Sequence, residues 1–159
     1  MIKISIVDDD EAFVIHMKNK VEKYCKVTQT ACQIRTFSKP QLFYYELDEK
    51  MHYDICFLDI EMPEINGIKL AEKLREYDKN TYIVFTTSYF EFAAHGYSLK
   101  AFDFIQKSLL DEKLNLTLES ILLEIKRTEN KFYCIETDVR LQRIKYKEII
   151  YLYKSNKNT

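Results

Sequence analysis

YDICFLDIEMPEINGI, residues 53–68, reads as a buried strand that ends on an acid and turns into a helix. Ile55 to Leu58 is an unbroken apolar run of strand length, the pattern of a strand covered on both faces. It stops at Asp59. Glu61, Pro63, Glu64, Asn66 and Gly67 follow as loop and turn formers, with Asn-Gly a strong punctuator. Ile68, Leu70, Ala71 and Leu74 then recur at helical spacing. Open α/β sheets bind ligands at the carboxyl ends of their strands, so Asp59 lies where such a fold does its chemistry.

The same pattern repeats outward from this unit. Ile2 to Val7 is expected as a first strand, ended by Asp8, Asp9 and Asp10, one of which caps the next helix. That helix carries Phe13, Met17, Val21 and Tyr24 as an amphipathic stripe. Ala31 to Phe37 is the second strand. Ser38 is a cap before Pro40, and Leu42, Phe43 and Leu47 give a shorter second helix. The third strand is Asp54 to Leu58, and the third helix runs from about Asn66 to Tyr77. Tyr82 to Phe85 is the fourth strand, ending in Thr86, Thr87 and Ser88. A short helix is expected near Glu91 to Tyr97. The fifth strand is Phe102 to Ile105, ending near Lys107, and a long helix follows from Leu110 to about Arg127. Its stripe is Leu110, Leu114, Leu118, Ile121, Leu122 and Ile125. Five βα units in succession predict an α/β fold: a doubly wound, five-stranded parallel sheet of order 2-1-3-4-5 with helices on both faces.

The composition sets outer limits. With 159 residues, 47% hydrophobic and 31% charged, the chain has the makeup of an ordinary globular protein that buries a full core. No apolar run approaches the roughly 20 residues of a membrane span. The opening MIKISIVDDD reaches acids too soon for a signal peptide, so a cytoplasmic location is the expectation. Cys25, Cys32, Cys56 and Cys134 form no CxxC pair and read as reduced packing residues. His16, His52 and His95 are scattered, which gives a zinc site no support. Residues 1–127 hold 17 Lys+Arg against 21 Asp+Glu, whereas residues 128–159 hold 7 against 4. This change of sign, beside TENK at 128–131, divides the chain into a domain at 1–127 and an extension at 128–159. Leu116 and Leu123 fall off the main stripe of the last helix. They read either as a dimer face or as scattered surface apolar residues.

The ends of strands one, three, four and five deliver Asp8 and Asp9, Asp59, Thr86 and Thr87, and Lys107. Each residue alone has a plain reading: Asp8 as a helix cap, Asp59 as a capping turn residue, Lys107 as a solvated cation. Together they say more. Three clustered carboxylates repel unless a cation sits among them, and hard oxygen ligands suit Mg²⁺. A lysine can hold a phosphoryl oxygen, and a threonine hydroxyl another. The set suits an aspartate nucleophile that accepts a phosphoryl group.

These segments, IVDDDE, FLDIEMPEINGI, VFTTS and FDFIQK, closely resemble the receiver domains of two-component response regulators, over about residues 1–127. The resemblance implies that Asp59 is the phosphoacceptor. It implies that Asp9 and Asp59 hold Mg²⁺ directly, Asp8 mainly through water, and the backbone carbonyl of Glu61 completes the set. Thr87 matches the switch hydroxyl, Lys107 the phosphoryl-binding lysine and Phe104 the switch aromatic. The side chains of Glu61 and Tyr89 match the positions that tune hydrolysis. The family usually has a cis proline after the lysine; here Ser108 takes that place. A trans Lys107–Ser108 bond is therefore expected, since a non-proline cis bond costs about 2.5–4 kcal/mol, with Ser108 capping the last helix.

The tail KFYCIETDVRLQRIKYKEIIYLYKSNKNT is similar to the beginning of a LytTR-type DNA-binding domain, with two strands around Thr137–Asp138 and then KEIIYLYKSN. A domain of that kind is longer than this tail, so the resemblance implies a truncated one. The function implied is a phosphorylation-dependent response regulator. A sensor histidine kinase is its partner, a transcriptional output acts through DNA in the full-length protein, and a homodimer forms through the fourth helix, fifth strand and fifth helix. Two alternatives remain. One is an aspartate-dependent phosphatase of the haloacid-dehalogenase type, which wants a second aspartate where Glu61 stands. The other is a dimerisation module that needs no phosphorylation, against which the complete acid, threonine and lysine set counts.

Overall fold

In a computed structural model, residues 1–88, 99–129, 132–137 and 140–145 are described. In chain order the elements are β1 (Ile2–Val7), α1 (Glu11–Val27), β2 (Cys32–Phe37), α2 (Pro40–Asp48), β3 (Ile55–Leu58), α3 (Gly67–Tyr77), β4 (Tyr82–Thr87) and β5 (Asp103–Gln106). A 3-10 turn, Lys107–Leu109, then leads into α4 (Leu110–Glu129), which is followed by β6 (Phe132–Thr137) and β7 (Arg140–Lys145). The chain divides into two compact units, Met1–Asn115 and Leu116–Thr159.

The first unit is built on a parallel five-stranded sheet of order β2-β1-β3-β4-β5, the order its βα pattern predicts. β3 is buried along its whole length, as a central parallel strand covered on both faces must be. Val7, Cys56, Leu58, Ile83 and Phe85 join Phe43 and Leu47 of α2 and Leu70 and Leu74 of α3 in one cluster. The alternate residues, Ile4, Ile6, Ile55, Phe57 and Val84, are equally buried and face the opposite side by the two-residue period of a strand.

Helix ends are fixed by identifiable side chains. The Asp10 carboxylate accepts from Ala12 N–H and Phe13 N–H and caps α1. Asn66 accepts from Lys69 N–H at 2.9 Å and caps α3, which starts where the sequence places it. At the far end of α3, Arg75 donates to the carbonyls of Leu99, Asp78, Thr81 and Lys100. That fan ties α3 to the start of β4 and the approach to β5.

Several expectations need correction. Ser38 does not cap α2; Lys39 holds that position without a side-chain bond, and Pro40 starts the helix. The buried face of α1 is Val14, Met17, Val21 and Cys25, one residue round from the expected stripe, which leaves Phe13 and Tyr24 half-exposed. Leu42 is exposed, whereas Phe43 and Leu47 of the same expected set are buried. β4 continues through Thr87. No peptide bond among the described residues is cis, so Lys107–Ser108 is trans as expected. Ser108 nevertheless lies inside the 3-10 turn, whose cap position is Gln106.

In the second unit, β6 and β7 pair antiparallel from Phe132↔Lys145 to Thr137↔Arg140. On the α4 residues of this unit, Leu118, Ile121 and Leu122 are buried, whereas Leu116 and Leu123 are exposed. The helix expected near Glu91–Tyr97, Tyr89, Asp138 and the KEIIYLYKSN segment lie outside the described residues. Among the described residues no helix is long and apolar enough to cross a membrane.

Candidate functional site

The strand register brings the candidate residues to one edge of the sheet. Val7 pairs with Leu58, Leu58 with Phe85, and Thr87 with Gln106. The residues that follow β1, β3 and β5 are Asp8, Asp59 and Lys107, and Thr87 closes β4. Asp8, Asp59 and Thr87 are buried, while Asp9 is exposed. The backbone supports this arrangement from beneath. Asp59 N–H donates to Val7 O at 2.9 Å, and Asp8 N–H to Phe37 O at 3.1 Å.

Lys107 links the acids. Its Nζ lies 2.8 Å from Asp59 Oδ2 in a hydrogen bond and 2.7 Å from Asp8 Oδ2 in an ion pair. Asp8 Oδ1 accepts from Asp10 N–H at 3.0 Å. On the far side, the Lys107 ammonium sits 4.7 Å from the centroid of the Phe13 ring.

The electrostatics follow from burial. Desolvation lifts Asp8 from 3.8 to about 6, against the pull of Lys107 and the Asp10 N–H, and the Asp59 charge adds to the rise. Asp59 is raised too, chiefly by desolvation, although Lys107 and the N–H groups of Ile60 and Glu61 oppose it. For Lys107, desolvation pulls downward, but the Asp59 and Asp8 carboxylates outweigh it and hold the ammonium protonated.

Asp8, Asp9 and Asp59 each offer a carboxylate oxygen, all within 4.8 Å of one another. Asp59 Oδ1 is buried without a hydrogen-bond partner, and Asp8 Oδ2, buried too, has only the Lys107 ion pair. Buried acceptors with unmet capacity, all oxygen and all anionic, fit a hard divalent cation. The donor set therefore matches Mg²⁺, with Lys107 already neutralising part of the charge.

Of the residues expected from sequence, Asp8, Asp9, Asp59 and Lys107 converge. Thr87 ends the strand beside Asp59, and the Glu61 side chain is exposed two residues past it. Phe104 stands apart from the acids. Its ring stacks on Phe85 at 5.1 Å and packs against the α2–α3 side of the core. Tyr89 lies outside the described residues. Two residues escaped the sequence reading. Gly67 matters by close approach, because a Cβ there would lie 2.8 Å from the Asp59 carbonyl carbon. Phe13 matters as the ring beside Lys107. Its spacing one turn before Met17 marks it only as a stripe residue.

Comparison with known proteins agrees with this fold. Residues 4–119 match the model of the response regulator receiver domain. The sensory transduction protein LytT of Enterococcus faecalis is 30% identical over 122 residues, covering 77% of this chain and 48% of LytT. The response regulatory domain of mrkE from Klebsiella pneumoniae superposes with a TM-score of 0.65 at 23% identity, over 79% of this chain and 99% of that one. Response regulator TrrA of Thermotoga maritima, in complex with Mg²⁺ and beryllofluoride, gives 0.63 at 23% identity over 76% and 99%. At that identity the structural likenesses concern the fold. The chain spans about half the length of the curated relatives it matches.

Proposed function

The chain belongs to the response regulator receiver domain family, and from that premise we propose that Asp59 accepts a phosphoryl group from a sensor histidine kinase. The observation that carries the reading is the single contact network of Asp59, Lys107 and Asp8 at the carboxyl edge of the sheet. An Asp59 oxygen attacks phosphorus in line. The O–P bond forms as the P–N bond to the donor histidine breaks, and the departing imidazole takes up a proton. Lys107 exchanges its carboxylate partners for the phosphoryl oxygens and offsets their charge.

Asp8, Asp9, Asp59 and the backbone carbonyl of Glu61 would hold Mg²⁺. When bound, the ion screens the acids from one another and offsets charge on the transferring group. Thr87 offers its hydroxyl to a phosphoryl oxygen, and Phe104 follows that shift as the two-state element that changes the partner surface. By the family resemblance, Glu61 and Tyr89 are the positions that set how easily water reaches the acyl phosphate. The site takes one phosphoryl group per chain and releases it slowly, so its output is a conformation rather than turnover of substrate.

The output of the switch is transcriptional. The tail from 128 onward, with its paired β6 and β7 and its resemblance to the start of a LytTR domain, belongs to a DNA-binding part. A homodimer forms through the segment near Glu91–Tyr97, β5 and α4, the face that the family resemblance implies. The test is labelling by acetyl phosphate. One phosphoryl group per chain is expected with Mg²⁺ and none with a chelator. Labelling indifferent to chelator would overturn the metal assignment.

A further inference from the structure

We propose that Phe13 is a positioning residue for Lys107, guiding the ammonium as it moves from carboxylate to phosphoryl oxygens. The inference rests on the receiver reading above. It begins with the loop. The proline that the family resemblance leads one to expect after the lysine is Ser108 here, the bond is trans, and Lys107 opens a 3-10 turn. No ring in the main chain fixes the direction in which Lys107 leaves the strand. The side chain must be held by what surrounds it, and three groups do so. Two are Asp59 and Asp8. The third is the Phe13 ring, 4.7 Å from Nζ.

These partners behave differently during the reaction. Phosphoryl transfer consumes the Asp59 charge, and a bound cation engages Asp8, so both acid contacts change. The phenyl ring is neutral and its attraction for a cation does not depend on the state of the acids. Of the three, only the ring can keep its contact with Lys107 before and after transfer, so its hold counts for most in the loaded state, once the acid contacts are released.

Phe13 is itself firmly placed. It stands in the first turn of α1, where its own N–H donates to the capping Asp10 carboxylate at 3.1 Å. One and two turns further, His16 lies 3.3 Å and Lys20 2.7 Å from Asp111, in the first turn of α4. The same flank of α1 therefore grips the connection from β5 to α4 at both ends, through Phe13 at Lys107 and through Lys20 at Asp111.

The test separates ring charge from ring shape. Phe13 is replaced by phenylalanines of increasing fluorination, which keep the shape and withdraw charge from the ring face, and by Phe13→Leu and Phe13→Tyr. In the metal-free protein, the Lys107 ε-methylene protons are expected to show an upfield ring-current shift that disappears in Phe13→Leu. With Mg²⁺, affinity for beryllofluoride, a phosphoryl mimic, is expected to fall stepwise with fluorination. Phe13→Leu should lose about two- to tenfold, while Phe13→Tyr stays near wild type. Phe13→Leu should add nothing to Lys107→Met. A missing ring-current shift, or equal affinity across the fluorinated series, would overturn the inference. Wild type that keeps the ring-current shift but binds no beryllofluoride and takes no label would instead overturn the receiver reading beneath it.

Discussion

Replacing Asp8 with asparagine should make the metal-free protein more stable while removing its capacity to be phosphorylated. Asp8 is fully buried, and its pKa is lifted from 3.8 to about 6 by desolvation first, with Asp59 adding repulsion. The attraction of Lys107 is already included in that balance. A carboxyl whose folded pKa is raised destabilises the fold whenever it is ionised. The cost is absent below about pH 4, grows between there and about pH 6, and is complete above it. At about 1.36 kcal/mol per pKa unit the full cost is roughly 3 kcal/mol. Solvent reaching the site beside the exposed Asp9 screens part of it, leaving about 2 kcal/mol. Asparagine keeps an oxygen for the Asp10 N–H and removes the charge. For a domain of this size the gain corresponds to roughly 6–10 °C in melting temperature. Thermal unfolding of wild type and Asp8→Asn in chelator at pH 7.5 and pH 4 is the assay. The gain should be present at the higher pH and fade at the lower. An unchanged or lower melting temperature at pH 7.5 would show that Lys107 fully compensates the buried acids and that the charging cost is misassigned.

Other perturbations test separate parts of the account. Gly67→Ala should destabilise by about 1–3 kcal/mol and slow labelling of Asp59, because the new methyl collides with the Asp59 carbonyl; wild-type stability in urea would contradict the close approach. Asp78 is lifted by desolvation, but hydrogen bonds from Asn80 N–H, His52 and Thr81 outweigh this and hold its pKa below the ordinary value. Its stabilising effect is therefore present above the usual carboxylate range and lost as pH falls through it. Asp78→Asn should cost about 1–2 kcal/mol at pH 7 with a gap that narrows toward pH 3, and a pH-independent gap in urea unfolding would refute this. Tyr89→Ala should speed loss of the phosphoryl group by opening a path for water, as followed by intact mass over time; an equal or slower rate would show that Tyr89 does not shield it.

Where the sequence spoke clearly, a strong physical constraint lay behind it. The apolar run Ile55–Leu58 ending at Asp59 could only be a doubly covered strand, and once five such units stand in series the parallel order follows. The acids and lysine were legible because strand ends in this topology converge on one edge. Helix faces were less so. Phe13 and Val14 are both apolar and adjacent, and only the angle at which α1 lies on the sheet decides which is buried. Helix ends were also blurred, since Gln29 and Lys50 take the left-handed conformation after α1 and α2 where glycine would have signalled a stop. Gly67 was visible only as part of the Asn-Gly punctuation before the third helix, whereas the need for it is space against the Asp59 backbone. The Phe13–Lys107 contact joins residues far apart in the chain, and no spacing rule reaches across that distance.

The central claim, that Asp59 is the group that accepts phosphate, is tested most directly by mass spectrometry of the full chain after exposure to acetyl phosphate and Mg²⁺. Wild type should gain one phosphoryl group, located on the peptide containing Asp59, and Asp59→Asn should gain none. A phosphoryl group on any other residue of the wild type, or equal labelling of Asp59→Asn, would contradict the account.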